Sequence, residues 1–363
     1  MNLYSRYKEE NRDSSLEGSA VQAEPGDETP MLLVPFMWIG DFVRCHTVVR
    51  LLNRRFPRRP VDVLATAMVS PLADYMPGVR KAIIADLPRK RLALAGHRAL
   101  AKRLKNEGYR DVLVMPRTWK SALAPFLAGI ARRTGFFGEA RIGLLNDLRS
   151  GERALPRMID RCAALAMPKD ESPPADLPHP QLEVPAGEIA SWLGRNGLAN
   201  DHRPAVALAP GAVGSSKRWT TSGYAELARR LTAEGVQVWI LGGPGEQALA
   251  AEVAGPDPVN VRDMTGPDLR NAVVALAAAD VAVSNDSGLL HVAAAIGTPA
   301  IGIFGPTSPW HWAPLNPLAA VVEIESGLSC RPCHKPTCRM GHHLCMRDIP
   351  AERVLALTLK ALR

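Results

Sequence analysis

Six prolines, Pro168, Pro173, Pro174, Pro178, Pro180 and Pro185, crowd one short stretch of the chain, with acidic residues among them. Proline lacks the backbone N–H and fixes φ, so such a run is neither helix nor central strand. It reads as a linker over 168–186, with the same pattern on either side. Before it, short apolar segments at 32–36, 61–65, 82–85 and 111–115 alternate with amphipathic stretches at 42–54 and 97–106. After it, apolar segments at 205–209, 236–241, 281–284 and 300–304 alternate with helical stretches at 223–234, 269–279 and 288–296. Strand, helix and strand in succession imply a parallel, doubly wound sheet. The expected architecture is α/β, with two Rossmann-like domains at 31–167 and 187–363. A terminal helix over 351–362 would fold back on either. No internal sequence repeat accompanies the repeated pattern.

Residues 1–30 are polar and aperiodic, the composition of a disordered tail. Met31 directly precedes the first strand and is the expected natural start. With 47% hydrophobic and 22% charged residues the chain is of the globular class. No segment reaches the ~18 uninterrupted apolar residues of a membrane span; the nearest, 289–304, contains His291, Thr298 and Pro299. The N-terminus lacks a basic-then-apolar leader, so the expected compartment is the cytoplasm.

Charge is distributed unevenly. Residues 31–150 hold 22 Lys and Arg against 8 Asp and Glu, a balance of +14, which leaves −6 for the rest of a chain whose total is +8. The clusters are Arg54-Arg55-Phe56-Pro57-Arg58-Arg59, Arg89-Lys90-Arg91 and Lys102-Arg103-Leu104-Lys105. Each alone reads as a solvated surface; together they favour an anionic partner. Aromatic residues are only 5% and are not interleaved with the basic ones, so nucleic acid is not expected.

The densest chemistry lies at Ser284-Asn285-Asp286-Ser287-Gly288-Leu289-Leu290-His291 and at Gly305-Pro306-Thr307-Ser308-Pro309. In the first, a buried strand gives way to a polar turn and then a small-residue helix. That order aims backbone N–H groups and the positive end of a helix dipole at one point, which suits a phosphate. Gly288 lets a ligand approach the backbone, while Asp286, Ser287 and His291 supply polar groups; the simpler alternative is an N-cap by Asp286 or Ser287. Lys217 and Arg218 follow another strand end and would neutralise a diphosphate, Arg with two parallel bonds and Lys as a point charge. Glu246 follows the Leu241-Gly242-Gly243-Pro244-Gly245 turn, where a carboxylate would take ribose hydroxyls, or simply begin a helix. In the first half, Trp38-Ile39-Gly40-Asp41 ends a strand, and Asp41 is either a general base or the cap of a helix starting at Phe42. No G-x-G-x-x-G fingerprint and no P-loop lysine is present, which removes both of those nucleotide folds.

Four of the six cysteines, Cys330, Cys333, Cys338 and Cys345, share one stretch with His334, His342 and His343. The spacing is that of a closed structural metal site, with zinc favoured over iron; a redox role or simply unpaired thiols are the alternatives. Cys45 and Cys162 stand alone and read as small core residues.

These residues, taken together, resemble the bacterial lipopolysaccharide heptosyltransferases of glycosyltransferase family 9, and their type II members most closely. The resemblance runs from Met31 to about Leu359. It is carried by Trp38-Ile39-Gly40-Asp41, Lys120-Ser121-Ala122-Leu123-Ala124-Pro125-Phe126, Arg133-Thr134-Gly135, Leu144-Leu145-Asn146-Asp147-Leu148-Arg149, Pro210-Gly211-Ala212, Lys217-Arg218-Trp219 and the two polar turns. The Cys330 to Cys345 stretch is similar to one that many type II members carry. The resemblance implies a GT-B fold, two Rossmann-like domains facing across a cleft, and an inverting transfer that needs no catalytic cofactor. Its donor would be ADP-L-glycero-β-D-manno-heptose. Its acceptor would be phosphorylated heptosyl-Kdo2-lipid A at the cytoplasmic face of the inner membrane, with peripheral contact to that face.

By position, the resemblance makes Asp41 the general base and Lys217 the group that offsets charge on the leaving ADP. It gives Glu246 the ribose and Asp286 the heptose hydroxyls. Ser287, Gly288 and Leu289 would offer N–H groups to the phosphates, supported by His291, while Lys120 and Arg133 would meet acceptor phosphates. Two positions depart from the family. Thr220 replaces the usual proline after Lys-Arg-Trp, and Val213-Gly214-Ser215-Ser216 replaces an acidic-aromatic variant. Heptosyltransferases of types I or III, or a nucleotide-sugar 2-epimerase on the same plan, are the alternatives.

Overall fold

The computed structural model describes residues 28–88, 92–155, 157–255, 259–314, 316–325 and 327–363. Of the tail expected to be disordered over residues 1–30, residues 1–27 lie outside the described residues, as does the Arg89-Lys90-Arg91 cluster. The chain forms two compact units that divide between Gln181 and Leu182.

The first unit is built on six parallel strands: β1 (Met31–Val34), β2 (Val61–Ala65), β3 (Val79–Ile84), β4 (Asp111–Val114), β5 (Arg132–Phe136) and β6 (Asp147–Arg149). Their order across the sheet is β3-β2-β1-β4-β5-β6. Around it lie α1 (Ile39–Arg55), α2 (Ser70–Ala73), α3 (Leu94–Asn106), α4 (Trp119–Leu127) and α5 (Met158–Ala166). The central strands are buried throughout, as parallel strands covered on both faces must be, and their sequences are accordingly almost continuously apolar. Asp62 in β2 and Asp111 at the start of β4 are the exceptions. Asp62 is fully buried, yet Arg80 donates to both of its oxygens and the Tyr109 hydroxyl adds a third bond. A charge removed from water is tolerated only with such partners.

The second unit repeats the plan with α6 (Ala186–Arg195), β7 (Ala205–Ala209), α7 (Thr221–Ala233), β8 (Gln237–Ile240), α8 (Gln247–Ala254), β9 (Val261–Asp263), α9 (Leu269–Ala278), β10 (Val281–Asn285), α10 (Gly288–Ile296), β11 (Ala300–Phe304), α11 (Pro309–Trp312), β12 (Ala319–Glu323), α12 (Leu344–Arg347) and α13 (Ala351–Ala361). The sheet order is β12-β11-β10-β7-β8-β9. Counted within its own unit, each sheet has the order 3-2-1-4-5-6, so the direction of winding reverses between the first and fourth strands. Loops leaving those two strands diverge and open a crevice. Helix α13 packs on α7 and on the strands β10, β11 and β12 of the second unit.

Between α5 and α6 the proline-rich stretch forms no helix or strand. In the first unit it lies along α1, where Thr47 Oγ1 donates to Pro178 O at 2.7 Å and Arg50 Nη1 to His179 O at 2.7 Å. Upstream, Thr29, within the expected tail, receives Arg59 Nε on its carbonyl at 2.9 Å.

Much of the basic surplus of the first half serves the fold. Arg59 and Arg132 bind the two oxygens of Asp111, Arg149 pairs with Asp147, and Arg103 donates to Ile84 O. Arg141 is buried and donates to the carbonyls of Pro116 and Phe136. Cys45 and Cys162 are both buried, as expected of small core residues. No helix among the described residues is long and apolar enough to cross a membrane.

Candidate functional site

The crevice of the second unit lies where β7 and β10 run side by side, and it collects the polar loops that follow them. Asn285 ends β10 fully buried; its Nδ2 donates to Pro210 O at 2.6 Å and its Oδ1 accepts from Trp219 N at 2.9 Å. One side chain thereby ties the loop after β10 to both ends of the loop after β7. Asp286 follows and is 5% exposed. Its Oδ2 accepts from Lys217 Nζ at 2.7 Å and from Thr307 Oγ1 at 2.7 Å, so three successive strand-end loops meet at one carboxylate oxygen.

Helix α10 starts at Gly288 with an extended N-cap, Ser287, and no side-chain cap. The Ser287 hydroxyl lies 2.9 Å from Ser284 Oγ, and Asp286 is engaged by Lys217 and Thr307. The capping alternative for this turn is therefore not what forms. The first-turn N–H groups of α10 keep their capacity for an anion, and the helix dipole favours one there. The helix stops at Gly297, whose φ of +94° is the left-handed conformation of a C-terminal cap, with its N–H on Ala293 O. His291 is buried on this helix.

Glu246 does stand at the start of a helix, as the N-cap position of α8, and it is half-buried. Its Oε2 accepts from Gly243 N at 2.7 Å, and the carboxylate lies directly over Gly211 and Gly242. A Cβ at Gly211 would come 1.9 Å from Glu246 Oε1, so glycine is what allows the β7 loop to touch the β8 loop. Arg218 is exposed, and its Nε donates to Ala212 O at 3.1 Å. Thr220 caps α7 by accepting from Gly223 N at 3.0 Å, a bond no proline side chain supplies.

In the first unit, α1 begins three residues earlier than the sequence suggested, at Ile39. Asp41 is thus a first-turn residue and not the cap, which is Trp38 without a side-chain bond. A carboxylate in the first turn is favoured by the helix dipole. Arg44, one turn on, donates to Asp41 Oδ1 at 2.8 Å and also contacts Met158 Sδ at 3.3 Å. Lys120 sits half-buried at the start of α4. Arg133, in the short strand β5, donates from Nε to Leu144 O and from Nη1 to Ile130 O, and its guanidinium lies 5.5 Å from the Phe126 ring centre.

The expected metal site does not assemble. Among the described residues no group of three or more His, Cys, Asp or Glu side chains is placed to hold a metal ion. All four cysteines are free thiols, Cys345 buried and Cys330, Cys333 and Cys338 half-buried. Their backbones are held by separate anchors. The Cys333 N–H is bound to Pro306 O, whereas Cys345 belongs to α12 and its neighbour Met346 packs onto Gly305. Burial and the neighbouring thiols push the Cys345 thiol up to about 11. Zinc or iron at Cys330, Cys333, Cys338 and Cys345 is therefore not supported by this geometry.

Comparison with known proteins follows the same lines. The family model described as glycosyltransferase family 9 (heptosyltransferase) matches residues 97–344. Lipopolysaccharide heptosyltransferase 2 of Escherichia coli (strain K12) is 37% identical over 337 residues, covering 90% of this chain and 96% of that protein. Lipopolysaccharide heptosyltransferase 1 of Pseudomonas aeruginosa is 26% identical over 320 residues, covering 85% of this chain and 87% of that protein. Among solved structures, that of E. coli ADP-heptose lps heptosyltransferase II superposes with a TM-score of 0.82 at 35% identity, covering 92% of this chain and 98% of the other.

Proposed function

The chain belongs to glycosyltransferase family 9, the heptosyltransferases, and on that footing we propose that it moves L-glycero-D-manno-heptose from ADP-heptose to the first heptose of heptosyl-Kdo2-lipid A, inverting the anomeric carbon. The observation that carries the donor half is the meeting of Lys217, Asp286 and Thr307 beside the uncapped start of α10. The type II assignment is supported by 37% identity to the type 2 enzyme against 26% to a type 1 enzyme.

In this reading the second unit takes the donor. The N–H groups at Ser287, Gly288 and Leu289 and the Lys217 ammonium receive the diphosphate, with Arg218 alongside. Charge builds on the ADP oxygen as the anomeric C–O bond breaks, and preoriented donors stabilise it most at that moment. Glu246 accepts from the ribose hydroxyls. Asp286 holds Lys217 through Oδ2 and offers Oδ1 to the heptose, while His291 supports the turn from within α10. Asp41 removes the proton from the acceptor hydroxyl as that oxygen attacks the anomeric carbon. Lys120 and the Nη2 of Arg133 are assigned to acceptor phosphates. Catalysis in this scheme uses only these side chains and backbone groups.

Since the acceptor is a lipid, peripheral contact with the cytoplasmic face of the inner membrane belongs to the same reading. It is supported by the packed pair α3 and α4, which exposes Leu94, Phe126 and Leu127 together with Arg98, Lys102 and Lys105. Apolar side chains beside cations suit an anionic lipid surface.

The decisive experiment incubates the protein with ADP-heptose, with and without heptosyl-Kdo2-lipid A. ADP release that requires the acceptor, with one heptose added to the lipid, is the expected result. Consumption of ADP-heptose at the same rate without acceptor overturns the transferase reading in favour of an isomerase or hydrolase.

A further inference from the structure

The backbone of the segment from Cys330 to Cys345 joins the two loops that hold Asp286. On one side, Ser216 is gripped three ways. Its N–H donates to Pro336 O at 3.1 Å, its hydroxyl to Lys335 O, and its carbonyl lies 2.7 Å from His343 Nε2. Ser216 immediately precedes Lys217 and is 3% exposed. On the other side, the N–H groups of Cys333 and His334 both donate to Pro306 O, at 3.0 and 2.9 Å, one residue before Thr307. The strap therefore holds the residue directly before each partner of Asp286, and His334 ends the attachment to Pro306 just ahead of the attachment to Ser216 at Lys335 and Pro336.

The fit between strap and loop is close. Gly214 has a φ of +95°, and a Cβ there would lie 3.3 Å from Pro336 O and 3.4 Å from Pro336 Cα. Gly214 and Ser216 are thus the glycine and the serine that this strap engages.

His334 itself has a φ of +51°, the left-handed region that residues with a Cβ enter only at a cost. Such residues persist where surrounding bonds over-determine them, and they gather at ligand clamps. The two bonds on Pro306 O supply that constraint here. The imidazole is exposed and lies within electrostatic reach of His311, Lys217 and Asp286. Partial burial, then His311 and Lys217, hold it below the ordinary histidine range, against the pull of Asp286. An imidazole with one ring N–H donates one hydrogen bond and accepts one, the same pair of roles that a sugar hydroxyl offers.

Resting on the donor assignment above, we infer that His334 faces the bound donor and hydrogen-bonds a hydroxyl of the transferred sugar, carried to that place by the strap. It is a specificity residue of the donor site, recognising the sugar and not the nucleotide.

The backbone conformation provides a clean test. Glycine adopts a positive φ freely and asparagine tolerates it, so His334→Gly removes the imidazole while relieving the backbone, and His334→Asn keeps the turn with a shorter side chain. Affinities of wild type and both variants for ADP and for ADP-heptose are measured by calorimetry, alongside Tm. The expected result is an ADP-heptose Kd weakened about tenfold, the scale of one lost hydrogen bond, with ADP affinity within twofold of wild type and Tm unchanged or raised. If His334→Gly fails to fold, His334→Asn is read in the same way. Unchanged affinity for ADP-heptose, or equal weakening for both ligands, overturns the inference. Wild type that binds neither ligand refutes the donor assignment itself, and the inference falls with it.

Discussion

Lys217 Nζ stands 2.7 Å from Asp286 Oδ2, joining the loop after the first strand of the second sheet to the loop after its fourth. Asp286 is almost wholly buried, whereas the Lys217 side chain is 32% exposed, so the cation can face a ligand while its direction is set from behind. Substituting Lys217 with Met should lower kcat at least ~100-fold, the scale of removing one preorganised charge donor. Thr307→Val, which leaves the ion pair in place, should cost about tenfold in kcat, on the order of one neutral hydrogen bond. Steady-state rates at saturating ADP-heptose check both; a Lys217→Met enzyme near wild-type rate would remove the leaving-group role.

Asp41→Asn keeps the size of the side chain and one acceptor oxygen for Arg44 while abolishing its basicity. Turnover should fall about 1,000-fold, within the range general bases supply, with ADP-heptose affinity unchanged. Retention of more than a tenth of the rate would assign the proton transfer to another group.

Gly211→Ala places a methyl group where the Glu246 carboxylate lies, 1.9 Å from Oε1. The flexible side chain must swing away and give up its 2.7 Å bond to Gly243 N. KM for ADP-heptose should rise about tenfold, with a stability loss of about 1 kcal/mol. In a Glu246→Ala background the same change should add little, because the displaced group is already gone. Additive effects in that double variant would show that Gly211 acts by some other route.

His46 makes stability depend on pH. It is fully buried in α1, with Nε2 on Pro77 O at 2.8 Å and Nδ1 accepting from Gln181 N at 2.9 Å. Those two bonds suit a neutral ring protonated on Nε2. Burial chiefly, with the nearby Arg50 charge, holds its pKa near 4 against an ordinary 6.5. Between those values the unfolded chain binds the extra proton and the folded chain does not. The contribution is therefore complete above pH 6.5 and disappears as pH falls toward 4, by about 3 kcal/mol in all. Urea unfolding at pH 7.5 and 4.5 should show this loss, and His46→Gln should flatten it; an equally steep profile in the variant would point to other groups.

How much of this could be read from residues alone follows from where they sit. Strands Val61–Ala65, Ala205–Ala209 and Ala300–Phe304 and the helix Gly288–Ile296 were anticipated to the residue, because a strand covered on both faces has to be apolar along its length. The strands β5, β6, β9 and β12 were missed. All are off-centre or at sheet edges, and segments such as Arg132–Phe136 and Asp147–Arg149 are short and carry charge, so no periodicity marks them. The polar turns around Asp286 and Thr307 were legible as clusters, but the single oxygen on which Lys217 and Thr307 converge was not. Ser216 and His334 stood out only as parts of their segments, and the contact between strap and loop was not legible, since backbone groups make most of the bonds that form it. A charge count also cannot tell a surface cation from a structural one: Arg59 and Arg141 are buried links in the fold, whereas Arg98, Lys102 and Lys105 are exposed.

Each half of the chain has its own sheet, its own apolar interior and its own winding reversal. Mutational damage can consequently be local. A lesion in the interior around Leu208 and Val283 should loosen nucleotide recognition while the lobe bearing Asp41 keeps its shape, and the converse should hold for lesions around Leu32 and Val112. Drift in one half is thus free to retune a substrate without renegotiating the architecture that holds the other.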